Sequence, residues 1–212
     1  MNYENLHREI MQLYGGYIVL AGVLAFLIFG AIFLLIATRT YKRYERMGKK
    51  VDIYKANMQD LDAISPLVAK FRVELRKFKE IESKENLELA KEELVEFINA
   101  KFPVFICKEG DVCVGYLVCR VQDSVVWVEH LYVLEEHRKK GIASALYGEA
   151  EVLNKNLGGD TLYNYVHPNN DAMIGFLNKK GYNVLNLIEV RKKYANEEIK
   201  EKIEIRNNFF EY

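Results

Sequence analysis

The sequence predicts a mixed α/β domain. Apolar residues recur at helical spacing over residues 60–79 and 87–101, and the period changes to that of β-strands over residues 102–133. Helical and strand-like stretches then alternate up to residue 191. The predicted order of elements is therefore strand, two helices, three strands, helix, strand, helix, strand.

The first strand and the first two helices are predicted between Val51 and Lys101. Val51 to Ala56 alternates between apolar and polar side chains, as a half-buried strand does. From Asp60 to Lys79 the apolar residues share one side of a helix, with Ser65-Pro66 as a point where it bends or restarts. After a charged interval, Leu87 to Lys101 has the pattern of a second amphipathic helix.

Three β-rich runs follow. They are separated by the turns Glu109-Gly110-Asp111 and Gln122-Asp123-Ser124, so we expect an antiparallel meander. The runs are Phe102 to Cys107, Val112 to Val121 and Val125 to Val133. The remaining predicted elements are helix Ile142 to Leu157, strand Thr161 to Val166, helix Asn170 to Lys180, strand Tyr182 to Arg191 and, in the charged tail, a helix over Glu197 to Ile203.

Composition argues for a protein with no general affinity for nucleic acid. Among 212 residues, the 30 lysines and arginines balance the 30 aspartates and glutamates, so no global field would attract a polyanion. Cys107, Cys113 and Cys119 lack the paired spacing of a zinc site, and no metal is expected. We expect them to be buried, reduced packing residues.

An uncharged stretch runs from Tyr17 to Ala37. At about 1.5 Å rise per residue, its roughly 21 residues would cross a hydrocarbon core of about 30 Å as a helix. The stretch lacks the basic leader and the small-x-small cleavage site of a secretory signal. It is therefore predicted to be a transmembrane helix.

The charges on either side of this stretch predict its orientation. Residues 1–16 carry Glu4 and Glu9 against Arg8, whereas residues 38–50 are strongly basic. Because positive charge stays on the cytoplasmic side, the chain after about Thr38 is expected in the cytoplasm, on a single-pass anchor. The predicted layout is an extracytoplasmic leader 1–16, a transmembrane helix 17–37, a basic juxtamembrane linker 38–50 that suits anionic headgroups, one domain 51–193 and a charged tail 194–212.

A basic loop containing a glycine joins the strand Val125 to Val133 to the next helix. It reads Arg138-Lys139-Lys140-Gly141-Ile142-Ala143. Glycine allows close approach of the backbone, and the free N–H groups of a helix N-terminus attract phosphate. The loop predicts a phosphorylated ligand, although a basic turn before a helix is more often a solvated connection. Arg-x-x-Gly-x-Ala in this setting resembles the acyl-CoA pyrophosphate loop of the GNAT superfamily of N-acetyltransferases.

A second motif stands one strand later. His167-Pro168-Asn169-Asn170-Asp171-Ala172 runs into Phe176-Leu177-Asn178-Lys179-Lys180-Gly181-Tyr182. This resembles the second GNAT signature, a helix that begins with asparagine and ends in Lys-x-Gly-aromatic. With both signatures in order and one strand apart, the chain resembles a GNAT N-acetyltransferase over roughly Val51 to Lys193.

The resemblance implies a GNAT-like acyl-CoA acyltransferase fold with a mixed sheet, preceded here by the transmembrane helix. Its sheet would open between the fourth and fifth strands to admit pantetheine. Acetyl-CoA would be the co-substrate, and a primary amine would attack its thioester directly. The implied cofactor-binding residues are Leu131 and Val133 through their backbone, the loop residues Arg138, Lys139, Lys140, Gly141, Ile142 and Ala143, and, in the second signature, Phe176 and Asn170, although asparagine there is equally an ordinary N-cap.

Glu129 is the candidate general base. A carboxylate within an apolar strand is costly unless it faces a cleft or a partner, and GNAT members place an acid in this strand. Pairing with a structural Lys or Arg explains the residue equally well. The neighbouring His130 points to the opposite face and is expected to be structural.

The general acid is not identified by the sequence. Leu177 stands where the family often has a tyrosine. Either water protonates the leaving thiolate, or Tyr163 or Tyr165 does so, or catalysis is weak.

The acceptor amine also has no signature. The first two helices would supply its contacts, and they carry both signs of charge at Arg72, Glu74, Arg76, Lys77 and Lys79. The expected partners are acetyl-CoA, a small-molecule or protein amine, membrane lipid and a second copy of the chain. Two alternatives stay open: a non-catalytic, membrane-tethered acyl-CoA sensor or scaffold, and acylation of a lipid or cell-envelope precursor.

Overall fold

The computed structural model describes the backbone of residues 3–48 and 51–212. Side chains are described for the same residues except 12–13, 16, 18–19, 21–22 and 36–48. The chain divides into two compact units, Met1–His167 and Pro168–Tyr212, and each is described by itself.

A five-stranded sheet forms the centre of the first unit. Its strands β1 to β4 are antiparallel neighbours in chain order, and β5 is parallel to β4. The mixed sheet and the meander are confirmed, and the fifth strand is shorter than the predicted 161–166. The strands are β1 (Val51–Lys55), β2 (Val104–Glu109), β3 (Val112–Gln122), β4 (Val125–Val133) and β5 (Tyr163–Asn164).

Three helices cover this sheet, close to their predicted bounds: α2 (Leu61–Lys77), α3 (Leu87–Asn99) and α4 (Ile142–Asn156). Asn86 caps α3, because its side-chain oxygen accepts a hydrogen bond from Leu89 N at 3.1 Å. Helix α2 continues through Pro66, and the Ser65 hydroxyl donates to the Leu61 carbonyl at 2.6 Å one turn earlier. Ser65-Pro66 therefore does not restart the helix.

The helices lie on opposite faces of the sheet. On one face, the ring of Phe71 from α2 packs edge-on against Tyr116 of β3, with centroids 6.3 Å apart. On the other, Leu146 of α4 lies over Gly115, where an added Cβ would be 3.2 Å from its Cδ1 atom and 3.0 Å from the Tyr132 carbonyl oxygen. Successive strand residues point to opposite faces, so Gly115 and Tyr116 separate the two layers.

The three cysteines are free and buried, as predicted. Burial raises the pKa of the Cys107 and Cys113 thiols to about 11 and that of Cys119 to about 12. Thiols that stay protonated are poor nucleophiles and poor metal ligands, so packing accounts for all three.

The N-terminal segment forms one long helix, α1 (Tyr3–Gly48). In the part of the chain that the structure describes, no helix is both long and apolar enough to cross a membrane, so the predicted span over 17–37 finds no support. The side chains of the predicted linker 38–50 lie outside the described residues.

The second unit contains a helix and a hairpin, α5 (Asp171–Lys179) and the antiparallel pair β6 (Lys202–Ile205) and β7 (Asn208–Glu211). The predicted strand Tyr182 to Arg191 is wrong. This segment is irregular, and its apolar side chains are exposed, because a β-rich run becomes a strand only where another strand pairs with it. The predicted helix over Glu197 to Ile203 is also wrong, since Lys202 and Ile203 pair with β7 instead.

Candidate active site

The sheet opens between β4 and β5. Within the described residues these strands pair only at Trp127 with Tyr163 and at Val128 with Asn164. From Glu129 to Val133, β4 has no partner from β5 in the described part of the chain, so this edge can take an extended ligand, although the Val133 carbonyl already accepts from Arg138 Nε. Leu131 and Val133, the residues expected to bind pantetheine, lie on this unpaired part.

Helix α4 holds β5 in place at the opening. The Tyr147 hydroxyl lies 3.1 Å from Oδ1 and 3.0 Å from Nδ2 of Asn164. With Asn164 turned toward α4, its neighbours Tyr163 and Tyr165 point to the other face of the strand. There the Tyr165 ring stacks on Trp127, and the Tyr163 ring contacts Trp127 at a tilt of 32°.

Glu129 is the extra residue of a β-bulge. Val118 pairs with His130 and Cys119 with Val128, so the register between β3 and β4 skips Glu129. Bulges re-aim side chains and are common beside active sites. This one coincides with the point at which the sheet opens.

The Glu129 carboxylate is paired with Arg120 of β3. Arg120 Nε donates to Oε1 of Glu129 at 2.6 Å, and about a quarter of each side chain is exposed. This hydrogen bond raises the pKa of the Arg120 guanidinium. The Glu129 carboxylate is thus both paired with an arginine and partly accessible to solvent. Both interpretations made from the sequence, a general base and a structural ion pair, therefore stay open.

The phosphate loop meets the N-terminus of α4 at Gly141. This residue has φ +89° and provides no side-chain cap, so the first N–H groups of the helix have no intrahelical or capping acceptor. No atom of the described residues lies within 4 Å of the position that a Cβ would take. Glycine is required here by the left-handed backbone and not by crowding.

The remaining loop residues surround this helix end. Lys139, Lys140 and Gly141 are exposed, Ala143 is half-buried, and Ile142 is buried and fixes the loop to the core. Open space, exposed positive charge and uncapped N–H groups together fit a pyrophosphate.

Arg138 contacts residues of β4 and α2. Its Nε donates to the Val133 carbonyl at 2.9 Å, and its Nη2 donates to Glu74 of α2 at 2.6 Å. The guanidinium also lies 5.4 Å from the centroid of the Tyr132 ring. The structure therefore connects this loop residue to the end of β4 and to α2.

His130 is structural, as expected. It is 5% exposed and packs between Phe71 and Phe97, at centroid distances of 4.5 and 5.1 Å. Its ring nitrogens lie 3.2 Å from the Tyr116 hydroxyl and 3.2 Å from Arg72 Nη2. Burial, reinforced by the charge of Arg72, lowers the pKa of His130 to about 3, so the ring stays neutral.

Two of the expected acceptor-side residues form ion pairs with residues outside that set. Arg72 forms an ion pair with Glu93 of α3, and Glu74 forms the pair with Arg138. In the connection between α2 and α3, Lys77 and residues 80–84 line a cavity of about 570 Å³. Nothing in this mixture of charges selects one substrate.

The second signature lies in the second unit. Asn170 is an N-cap of α5, because its Oδ1 accepts from Met173 N at 3.0 Å. Phe176 is half-buried and Leu177 is buried, on the same short helix. The cofactor contacts expected of Asn170 and Phe176 stay predictions.

The sequence did not point to Arg120 or Trp127, and it did not predict the partner of Glu74. Arg120 donates to Glu129 and lies over the Trp127 ring, and Glu74, expected on the acceptor side, pairs with Arg138. Trp127 could have been found, since it precedes Glu129 by two residues on one face of the strand. Finding the contact of Arg120 with Glu129 requires the register of the bulged strand pair. Finding the contact of Glu74 with Arg138 requires the tertiary fold.

Comparisons with known proteins agree with this geometry. The model of the acetyltransferase (GNAT) family matches residues 68–182. Aminoglycoside acetyltransferase AAC(6')-Iy, solved with a bisubstrate analogue, has a TM-score of 0.55 and 18% identity over 68% of this chain and 99% of its own. A ribosomal-protein-alanine N-acetyltransferase from Brucella melitensis biovar Abortus 2308 has a TM-score of 0.54 and 18% identity over 69% of this chain and 100% of its own.

A third solved structure, PaiA N-acetyltransferase from Thermoplasma acidophilum in complex with coenzyme A, has a TM-score of 0.53 and 20% identity. It covers 62% of this chain and 88% of its own. At these identities the structures show the fold, and no curated protein matches. The family model covers more than half of the sequence, and the protein therefore belongs to the GNAT family of acetyltransferases, with acetyl-CoA as co-substrate.

Proposed function

We propose that the protein transfers an acetyl group from acetyl-CoA to a primary amine at the opening between β4 and β5. The observation that carries the proposal is that three features lie on β4 and on the loop that follows it. They are the bulged residue Glu129, the part of β4 that β5 does not pair with, and the uncapped N-terminus of α4 at Gly141.

The cofactor would be held along this path. The backbone of Leu131 and Val133 would pair with the pantetheine amides, and the N–H groups at the start of α4 would bind the pyrophosphate. Lys139 and Lys140 would add positive charge at the same end. When bound, acetyl-CoA supplies a thioester whose carbonyl carbon the amine attacks, so that a C–N bond forms, the C–S bond breaks and the thiolate leaves.

Glu129 would prepare the amine. A primary amine is mostly an ammonium at neutral pH, and only its neutral form has a free lone pair. The Glu129 carboxylate, aimed by the bulge, would accept the proton directly or through one water. Arg120 must then share or release the carboxylate, because its Nε occupies Oε1 of Glu129.

The test is release of coenzyme A thiol from acetyl-CoA by the full chain, measured with a panel of primary amines. We expect release that depends on the amine and is lost in Glu129→Gln. Glu136→Gln, an exposed carboxylate on the loop after β4, is the matched control and should keep wild-type activity. Binding of acetyl-CoA without release by any amine would favour the acyl-CoA sensor, which the apolar Leu177 in place of tyrosine also suggests.

The location of the chain is a separate proposal. We propose that the uncharged stretch 17–37 attaches the protein to a membrane, with the catalytic unit in the cytoplasm. Several side chains of this stretch lie outside the described residues, and the described ones from Val23 to Leu35 are all exposed, among them Phe26 and Phe33. The basic residues 38–50 support the orientation. Digestion of the catalytic unit by protease added to intact cells would contradict it, and recovery of the chain in the soluble fraction would contradict attachment.

A further inference from the structure

An aromatic–carboxylate cluster stands at the opening of the sheet. We use this name for Trp127, Tyr163, Tyr165, Glu129 and Arg120. The Trp127 ring centroid lies 4.7 Å from that of Tyr163 and 4.8 Å from that of Tyr165, and the Tyr165 ring is nearly parallel to it, at 14°. Tyr165 is 58% exposed, so the stack is open to solvent.

The cluster already holds a cation. The guanidinium carbon of Arg120 lies 5.3 Å from the centroid of the Trp127 ring, while its Nε contacts Glu129 at 2.6 Å. Arg120 Nη1 also donates to Gln122 at 2.7 Å, and Tyr165 forms a side-chain hydrogen bond with the same guanidinium. A carboxylate beside aromatic faces is the combination that binds ammonium groups.

Displacing the arginine breaks its hydrogen bonds and its contact with the Trp127 ring, and it returns the guanidinium to solvent. The ion pair is a small part of this cost, because about a quarter of each side chain is exposed and ion pairs open to solvent contribute about 0–1 kcal/mol. Arg120 also lies near the end of β3, so its long side chain has solvent to move into.

We propose that this cluster binds the acceptor amine, and that the Arg120 guanidinium occupies the acceptor's ammonium position in the free protein. The proposal rests on the proposed function and adds the class of acceptor. That class is a primary ammonium on an aliphatic stem, because the stem lies on the aromatic faces while the charge meets Glu129. An amine with a carboxylate on the adjacent carbon is excluded, because Glu129 would repel it.

The same contact provides the proton step. An ammonium in the Arg120 position loses its proton to a Glu129 oxygen, so one N–H bond breaks, one O–H bond forms, and a neutral amine remains. Competition with Arg120 then selects acceptors that carry a full positive charge. This competition explains why Glu129, the residue best placed to act as base, forms an ion pair with Arg120 in the free protein.

Trp127 makes a direct test possible, since it is the only tryptophan of the chain. The full chain is titrated with n-butylammonium chloride, without acetyl-CoA, while tryptophan fluorescence is recorded. Butan-1-ol is the neutral counterpart, and potassium chloride controls for ionic strength. We expect a saturable change with butylammonium only, and half-saturation at a concentration about two- to fivefold lower in Arg120→Ala, because the competing cation is gone.

Arg191→Ala is the matched control. Arg191 also lies over an aromatic ring, that of Tyr194 at 4.4 Å, and pairs with Glu197, but it belongs to the second unit. This variant should titrate like the wild type. Unchanged affinity in Arg120→Ala, or an equal response to butan-1-ol, overturns the proposal.

A second variant keeps the test valid if Arg120→Ala does not fold. Tyr165→Leu removes a largely exposed ring and should weaken binding of butylammonium about threefold or more. Unchanged binding would also overturn the proposal. The fluorescence titration contains no acetyl-CoA, so its result is independent of the thiol-release assay. Butylammonium binding in the titration, with no acetyl transfer in the thiol-release assay, would contradict only the proposed function. Acetyl transfer without a fluorescence response would contradict only this inference.

Discussion

Arg138 Nε donates to the backbone oxygen of Val133 at 2.9 Å, and the same guanidinium contacts Glu74 of α2 at 2.6 Å. Burial lowers the pKa of Arg138, but the hydrogen bond from the guanidinium to Glu74 and the charge of that carboxylate outweigh burial and raise it. One side chain therefore joins the end of β4 to α2. The first loop residue thus has part of its charge balanced by Glu74.

Replacing Glu74 tests this balance. Glu74→Gln leaves the charge of Arg138 uncompensated near the phosphate loop, so acetyl-CoA should bind about two- to fivefold more tightly at low salt and lose this gain at about 1 M salt. The unfolding free energy should fall by no more than about 1 kcal/mol, as for other exposed pairs. Calorimetry with Glu88→Gln as the charge-matched control measures the effect. Weaker binding would mean that Glu74 positions Arg138 for the ligand.

Gly141→Asp should abolish binding of acetyl-CoA. The substitution places a negative charge at the helix N-terminus and a side chain on a backbone with φ +89°. Gly110→Asp is the control, because Gly110 also has positive φ, at +63°, and open space around it, but lies in the turn between β2 and β3. Calorimetry should find binding retained in the control. Equal affinity in the two folded variants would remove the phosphate role of the loop.

Glu129→Gln should lower turnover about a hundredfold near neutral pH, with little change in acetyl-CoA affinity. The loss should shrink at high pH, where the amine is already neutral and needs no base. Arg120→Gln removes the ion pair but keeps the carboxylate, so its turnover should not fall. The pH–rate profiles of the three proteins with one amine decide the question. Coinciding profiles for wild type and Glu129→Gln would make Glu129 a structural carboxylate.

Stability should fall as the pH falls from about 6.5 toward 3, because of His130. The pKa of His130 is lowered from 6.5 to about 3 in the folded protein, so in this range the unfolded chain binds a proton that the folded chain does not. The loss from this group is about 1.4 kcal/mol per pH unit within the window. Urea unfolding of wild type and His130→Gln between pH 4.5 and 7 measures it. The variant should have the shallower pH dependence, and parallel curves would contradict the assignment.

Two glycine substitutions should have opposite effects on stability. At Gly115 an alanine Cβ would lie 3.0 Å from the Tyr132 carbonyl oxygen, so Gly115→Ala should cost about 1–3 kcal/mol. At Gly148, inside α4, nothing lies within 4 Å of the Cβ position, and Gly148→Ala should stabilise by about 0.5–1 kcal/mol. Thermal unfolding of both variants provides the comparison. Stabilisation by Gly115→Ala would show that both β4 and α4 can shift to admit the methyl group.

Local patterns were sufficient for most elements of the first unit. Periodicity alone predicts β4 with its exact bounds, Val125 to Val133, and gives α2, α3 and α4 to within a few residues. Each of these elements buries one face, so its apolar residues recur with the period of a helix or a strand. The segment 182–191 has the composition of a strand but pairs with no strand of the described residues, and composition does not reveal whether a partner strand exists.

The site was predictable only in part, because some of its contacts join residues that are far apart in the sequence. The loop around Gly141 is a local motif that depends on backbone geometry, and it lies where the sequence placed it. The partners of Glu129 and Arg138 come from residues 9 and 64 positions away, Arg120 and Glu74. Such pairings depend on strand register and helix placement, which single-residue patterns do not encode.

Because β5 pairs with β4 over only two residues, the structure also predicts how the solubility of the protein depends on its ligand. An inner strand with free N–H and C=O groups is a template for pairing with other chains, and so an aggregation hazard. A pantetheine arm laid along it would act as a missing strand. At a concentration about 100 times its Kd, a ligand adds about 2.7 kcal/mol to the unfolding free energy. We therefore expect the solubility of this protein to follow the cellular supply of acetyl-CoA, so that depletion of the metabolite removes the enzyme as well as its substrate.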